Sequence, residues 1–113
     1  MARLEKKRSC HVLGEEYTII EDASIKDKYG ADGVYADYSQ IIRVRPISDL
    51  LEEQATIEEK AARQRETIRH ELIHAFMGIG GLDRWNDDEE LVNWMAKMFP
   101  RINKCFEEAG CNE

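Results

Sequence analysis

Two histidines four residues apart, His70 and His74, with Glu71 between them, are the residues of this sequence with the most direct chemical reading. On a helix, that spacing projects both imidazoles from one face, within reach of a single ion. Glu71 is the next residue along, placed to reach a water on that ion without ligating the ion itself. This is the physical content of the H-E-x-x-H pattern, in which two neutral nitrogens hold Zn²⁺ and a carboxylate accepts the water's proton. Zinc brings such a water to a pKa of about 7. By chance the pattern should occur in roughly one in several hundred chains of this length. Here it uses two of the chain's three histidines.

A catalytic zinc also needs a third protein ligand and an open fourth position. Three residues compete for the role: Glu89, Glu90 and His11. Glu90 also suits a capping box with Asp87, and Asp83, Asp87 and Asp88 suit a loop and a helix cap.

The elements that must position these groups can be read from periodicity. Thr56 followed by Glu59 forms a capping-box pattern that opens a helix expected to run to about Met77. Ile57, Ala61, Ile68, Leu72, Ala75 and Phe76 fall largely on one face of it, and Gly78 to Gly81 ends it. Asp87 with Glu90 opens a second helix through Leu91, Val92, Met95, Ala96 and Phe99. Pro100 either kinks that helix or begins a short terminal one reaching about Ala109.

Before Pro46 the chain reads as strand and turn. His11 to Leu13 and Tyr17 to Ile20 are β-prone runs separated by Gly14-Glu15-Glu16, which suits a hairpin. Asp22 to Lys28 reads as a loop or one helical turn, and Gly30 to Gly33 as a turn. Val34 to Ser39 and Gln40 to Arg45 form a second strand pair. Ile42 and Val44 alternate with Ile41, Arg43 and Arg45, the pattern of a half-exposed or edge strand, and Pro46 blocks further pairing. Asp49 to Gln54 reads as a short helical turn.

The 113 residues suit one domain, with residues 1–9 expected as a flexible terminus. A net charge of −7, with a basic cluster only at Arg3, Lys6, Lys7 and Arg8, argues against nucleic acid and against an anionic membrane surface. No run approaches the roughly 20 apolar residues of a membrane span, and Ser9 to Gly14 lacks the apolar core of a signal peptide. Three cysteines, Cys10, Cys105 and Cys111, are an odd number better suited to reduced thiols in a cytoplasm than to disulfides.

Thr67 to Phe76, the short glycine loop, and Glu89-Glu90-Leu91-Val92-Asn93-Trp94-Met95-Ala96 together resemble the small phage- and prophage-encoded zinc metallopeptidases. These are relatives of the ImmA/IrrE-type peptidases within the zincin superfamily. The resemblance spans most of residues 10–100 and is strongest over 67–99. It implies an α+β fold: a minimal zincin-like domain with a small, mainly antiparallel sheet of three or four strands packed on the H-E-x-x-H helix. It implies one zinc ion per chain held by His70, His74 and Glu89, with Glu71 as general base in the hydrolysis of a peptide or protein substrate. In the family an Asp four residues beyond the glutamate braces a histidine; here that position is Asn93, whose amide oxygen would take the role.

Further roles follow from the same reading. Tyr35 or Tyr38 could offer a phenol to a tetrahedral oxyanion. Trp85 is placed to line a cleft, whereas Trp94 beside Met95 and Met98 reads as core. If 40–45 is the edge strand that pairs with substrate, Arg43 and Arg45 would favour acidic side chains. Two other functions are compatible with the same residues: an inactive zincin-fold module that binds a phage or host regulator, and a hydrolase acting on a small non-peptide substrate.

Overall fold

A computed structural model describes residues 7–36, 38–50 and 54–113. The first two strands, β1 (Lys7–Val12) and β2 (Glu15–Glu21), form an antiparallel hairpin in which Val12 faces Glu15. Its two-residue turn is Leu13-Gly14, with φ of 50° and 86°. Positive φ at both central residues is the type I′ geometry that matches strand twist, and glycine adopts it without steric cost. The turn therefore lies one residue earlier than Gly14-Glu15-Glu16. Of the terminus expected to be flexible, Lys7 to Ser9 is strand, since backbone pairing needs no apolar pattern; residues 1–6, with Arg3 and Lys6, lie outside the described residues.

A short helix, α1 (Ile25–Tyr29), leads into β3 (Gly33–Ala36), which pairs antiparallel with β4 (Ile41–Val44). The expected strand of 34–39 thus ends at Ala36, and Asp37 lies outside the described residues. β4 also pairs with β2, in parallel, so the four-stranded sheet is mixed and ordered β1-β2-β4-β3. This corrects the edge assignment of 40–45: β4 is an inner strand and β3 is an edge. The expected alternation is present, with Ile42 and Val44 fully buried. It reports a sheet with one wet face, however, and says nothing about neighbours in the sheet plane. Arg43 and Arg45 are engaged locally. Arg43 pairs with Asp22 at 3.1 Å and Arg45 with Asp32 at 2.9 Å, and Arg45 also donates to the Asp49 carbonyl. Ile47–Asp49 forms a single 3₁₀ turn; of the turn expected over 49–54, residues 51–53 lie outside the described residues.

Helix α2 (Ile57–Ile79) begins where Thr56 Oγ1 accepts the Glu59 backbone N–H at 3.1 Å. It is buried on two sides. Ile68 and Ala75, with Leu72 and Ile79, join Val12, Tyr17, Ile19, Ile42 and Val44 in the core under the sheet. Ile73 and Met77 pack on Val92 and Ala96 of α4 (Glu89–Ala109). The expected apolar face holds at Ile68 and Ala75 but not at its ends: Ile57 is 74% exposed and Phe76 is also exposed. No residue of α2 before Gln64 is buried, so its first turns lie outside the core.

After Gly81, an additional short helix α3 (Asp83–Asn86) precedes α4. The cap of α4 is Asp88, which accepts the Leu91 N–H at 3.1 Å, rather than Asp87 with Glu90. Trp94 is 54% exposed and does not belong to the core. Pro100 lies within α4, which continues past it as one helix. A proline lacks the N–H that would bond the carbonyl four residues earlier, here that of Ala96. Arg69 Nε of α2 donates to that carbonyl at 2.6 Å. The acceptor left by Pro100 thereby becomes a tie between the two helices. All three cysteines are free, and among the described residues no helix is long and apolar enough to cross a membrane.

Candidate metal centre

α2 and α4 meet where His70 and His74 face the first turn of α4. His70 Nε2 lies 3.0 Å from Glu89 Oε2, His74 Nε2 lies 2.9 Å from Glu89 Oε1, and the two Nε2 atoms are 3.2 Å apart. Tetrahedral bonds of about 2.0–2.1 Å separate ligand atoms by roughly 3.3 Å. The three donors therefore converge closely enough to hold one metal ion with small adjustment. Because the cap lies at Asp88, Glu89 is the first helical residue, and its carboxylate also faces the positive end of the α4 dipole.

The ring orientations suit ligation as well. His74 Nδ1–H donates to Asn86 Oδ1 at 2.7 Å, which leaves the Nε2 lone pair directed at Glu89 and His70. Asn86 is the functional residue missed in the sequence. It sits on α3, and nothing in its local pattern marks a partner twelve residues back. Asn93 hydrogen-bonds His70, as expected from its position four residues after Glu89. Burial holds the His70 imidazole below its ordinary value, while the Glu89 carboxylate and the Asn93 hydrogen bond work against that shift. A neutral ring is the form that binds a metal.

Glu71 is buried, with Oε2 3.8 Å from His70 Nε2. Burial pushes its carboxyl up to about 7, opposed by His74 and reinforced by Glu89. Gly33 makes this burial possible. A Cβ there would lie 2.6 Å from Thr67 Cγ2 and 3.1 Å from Glu71 Cγ, so only glycine lets the edge strand β3 lie directly on α2 at this point. A cleft of about 770 Å³ runs between β3 and α4 over the histidines, lined also by Tyr35, Asn86, Asp87 and Asn93.

Compared with known families, curated proteins and solved structures, the chain gives no match.

The remaining candidates separate cleanly. Neither His11 nor Glu90 belongs to the converging group or lines the cleft. His11 is on β1, at the opposite edge of the sheet from β3. Tyr35 lines the cleft, whereas Tyr38 is fully exposed and outside it. Trp85 also lies outside the lining; its ring carries the Arg84 guanidinium 5.0 Å from its centroid. Asn86→Ala is expected to weaken metal affinity about 10- to 100-fold, since an orienting hydrogen bond is lost and the ligands are kept. Competition against a chromophoric chelator measures this; unchanged affinity would remove Asn86 from the centre.

Proposed function

We propose that the protein is a zinc-dependent peptidase of zincin type. The observation that carries this reading is the convergence of His70 Nε2, His74 Nε2 and a Glu89 oxygen beside a buried Glu71 that is not one of the ligands. Two imidazoles and a carboxylate suit zinc. A zinc ion held there would supply Lewis acidity to a substrate carbonyl and acidify a water.

The chain's own groups have distinct tasks in this mechanism. Glu71 accepts the proton of the attacking water and delivers it to the leaving amine nitrogen. Its carboxyl is buried beside the ligands without being one of them, which suits both halves of that transfer. Asn86 and Asn93 hold the histidine rings in register. β3, whose second side pairs with no strand among the described residues, offers backbone N–H and C=O groups to an extended peptide laid along the cleft. The substrate-pairing role thus falls to 33–36 rather than 40–45, and the acidic preference expected of Arg43 and Arg45 does not follow.

Incubation of the metal-loaded protein with a casein or peptide pool, with and without chelator, tests the proposal. Cleavage that stops with chelator and returns with zinc is expected. Metal bound without turnover would instead make the chain a binding module, and turnover confined to small non-peptide amides would make it a different hydrolase.

A further inference from the structure

Along α4, Glu89, Asn93, Lys97 and Arg101 recur every fourth residue and so form one row on the helix surface. The row begins at the metal centre and ends on cations. Its course follows the cleft: Lys97, Arg63 and Glu66 line the cleft and also a second hollow of about 540 Å³ that adds Arg101. The two cations at the end of the row differ from their neighbours. Arg63 is engaged by Asp32 at 3.2 Å, and Arg69 is tied through Nε to the Ala96 carbonyl. Lys97 and Arg101 are exposed and, among the described residues, form no ion pair with a carboxylate.

We infer that Lys97 and Arg101 select a substrate carrying a carboxylate several residues from the scissile bond. The inference rests on the peptidase reading above and specifies its substrate. In a chain of net charge −7, two uncompensated cations beside a peptide-sized cleft mark an anion-binding end. The metal end is acidic, with Glu71, Asp87 and Glu89. One step of the row advances about 6 Å along the helix, so Lys97 lies about 12 Å and Arg101 about 18 Å from Glu89. An extended peptide covers about 3.3 Å per residue. The carboxylate is therefore placed roughly three to five residues from the bond that is cut. A phosphodiester chain fits less well, because it would carry a charge over the acidic metal end as well, which a peptide with a single distant carboxylate avoids.

The test uses fluorescence anisotropy on the full chain carrying Glu71→Gln, so that bound peptide is not consumed. Peptides carry Glu or Gln three to five residues from a fixed central bond, each with a free or an amidated C-terminus. The Glu peptides are expected to bind about tenfold more tightly than their Gln counterparts at low salt, the scale of two exposed ion pairs. Adding Lys97→Glu with Arg101→Glu should abolish or reverse that preference, and Lys97→Gln with Arg101→Gln should reduce it; circular dichroism checks the fold of each. Tighter binding of the free than of the amidated Gln peptide assigns the carboxylate to the substrate's chain end, and a Glu-over-Gln gain in amidated peptides assigns it to a side chain. Equal affinity of all four peptide forms, no measurable binding of any, a preference that survives charge reversal, or tighter binding of a single-stranded oligonucleotide would overturn the inference. The preference without cleavage by the wild-type chain sinks only the peptidase reading, and cleavage without the preference sinks only this one.

Discussion

His74→Ala is expected to abolish stoichiometric zinc binding, taking the protein from one ion per chain to none under dialysis that leaves the wild type loaded. His74 supplies one of three converging donors, and its Nε2 lies within 3.2 Å of both others. Zinc sites gain on the order of 10–16 kcal/mol from a complete ligand set, so losing one ligand costs affinity on the order of a hundredfold or more. Two donors that remain, His70 and Glu89, cannot close a tetrahedral site with protein ligands alone. The side chain is not part of either apolar core, so the fold should persist and circular dichroism should match the wild type. Elemental analysis after gel filtration measures the outcome. His11→Ala provides the control and should keep its ion, because His11 stands at the far edge of the sheet. Full metal retention by His74→Ala would remove the central claim about this protein.

Glu71→Gln is expected to lower peptide hydrolysis about 100- to 10,000-fold, the contribution of a positioned general base. The ion should stay in place, because Glu71 is not among the converging ligand atoms. The same substitution has a second consequence in the metal-free protein. Burial raises the Glu71 carboxyl from 4.5 to about 7, so the folded-state value lies above the unfolded one. Between those values the unfolded chain releases a proton that the folded chain retains, and stability falls as pH rises. The stabilisation is complete below about 4.5 and is lost as pH passes through about 7. At about 1.4 kcal/mol per pKa unit the loss is roughly 3 kcal/mol. Glutamine cannot ionise, so the stability of the variant relative to wild type should grow across this window and then level off. Urea melts in chelator from about pH 5 to about pH 8 read the difference directly. A nearby divalent cation favours the carboxylate, so zinc loading should flatten the wild-type profile. A difference between variant and wild type that does not change with pH would mean that the Glu71 carboxyl is solvated.

Local pattern was a good guide wherever one element's own periodicity carried the information. The four-residue interval between His70 and His74 is enough to set both rings on one side of a helix. The alternation from Ile41 to Val44 is enough to bury Ile42 and Val44. Thr56 caps α2 as its type and position require. The choice of Glu89 came from the family resemblance, and its carboxylate does meet both histidines.

Other features depended on which element lies beside which. The parallel pairing of β2 with β4 brings Ile19 beside Ile42 across twenty-three positions of sequence. That contact displaced β4 from the edge and left β3 there. Competition between Asp87 and Asp88 for one cap is settled by where α3 ends and α4 can start. Trp94 has the composition of a core residue, but α2 covers only the side of α4 that carries Val92 and Ala96. Pro100 reads in the sequence as a kink or the start of a new helix, whereas α4 runs on through it and the acceptor it orphans is satisfied from another helix, by Arg69.

What the amino-acid order determined on its own is the identity and spacing of the groups that can do chemistry, because residues three or four apart on a helix share a face whatever surrounds them. What only the tertiary structure decided is which groups complete and orient them: Asn86 on His74, Gly33 against Glu71, and β3 along the cleft. Those contacts join segments whose separation in sequence carries no periodic signal, and they form only when burying both faces of α2 brings the sheet and α4 together.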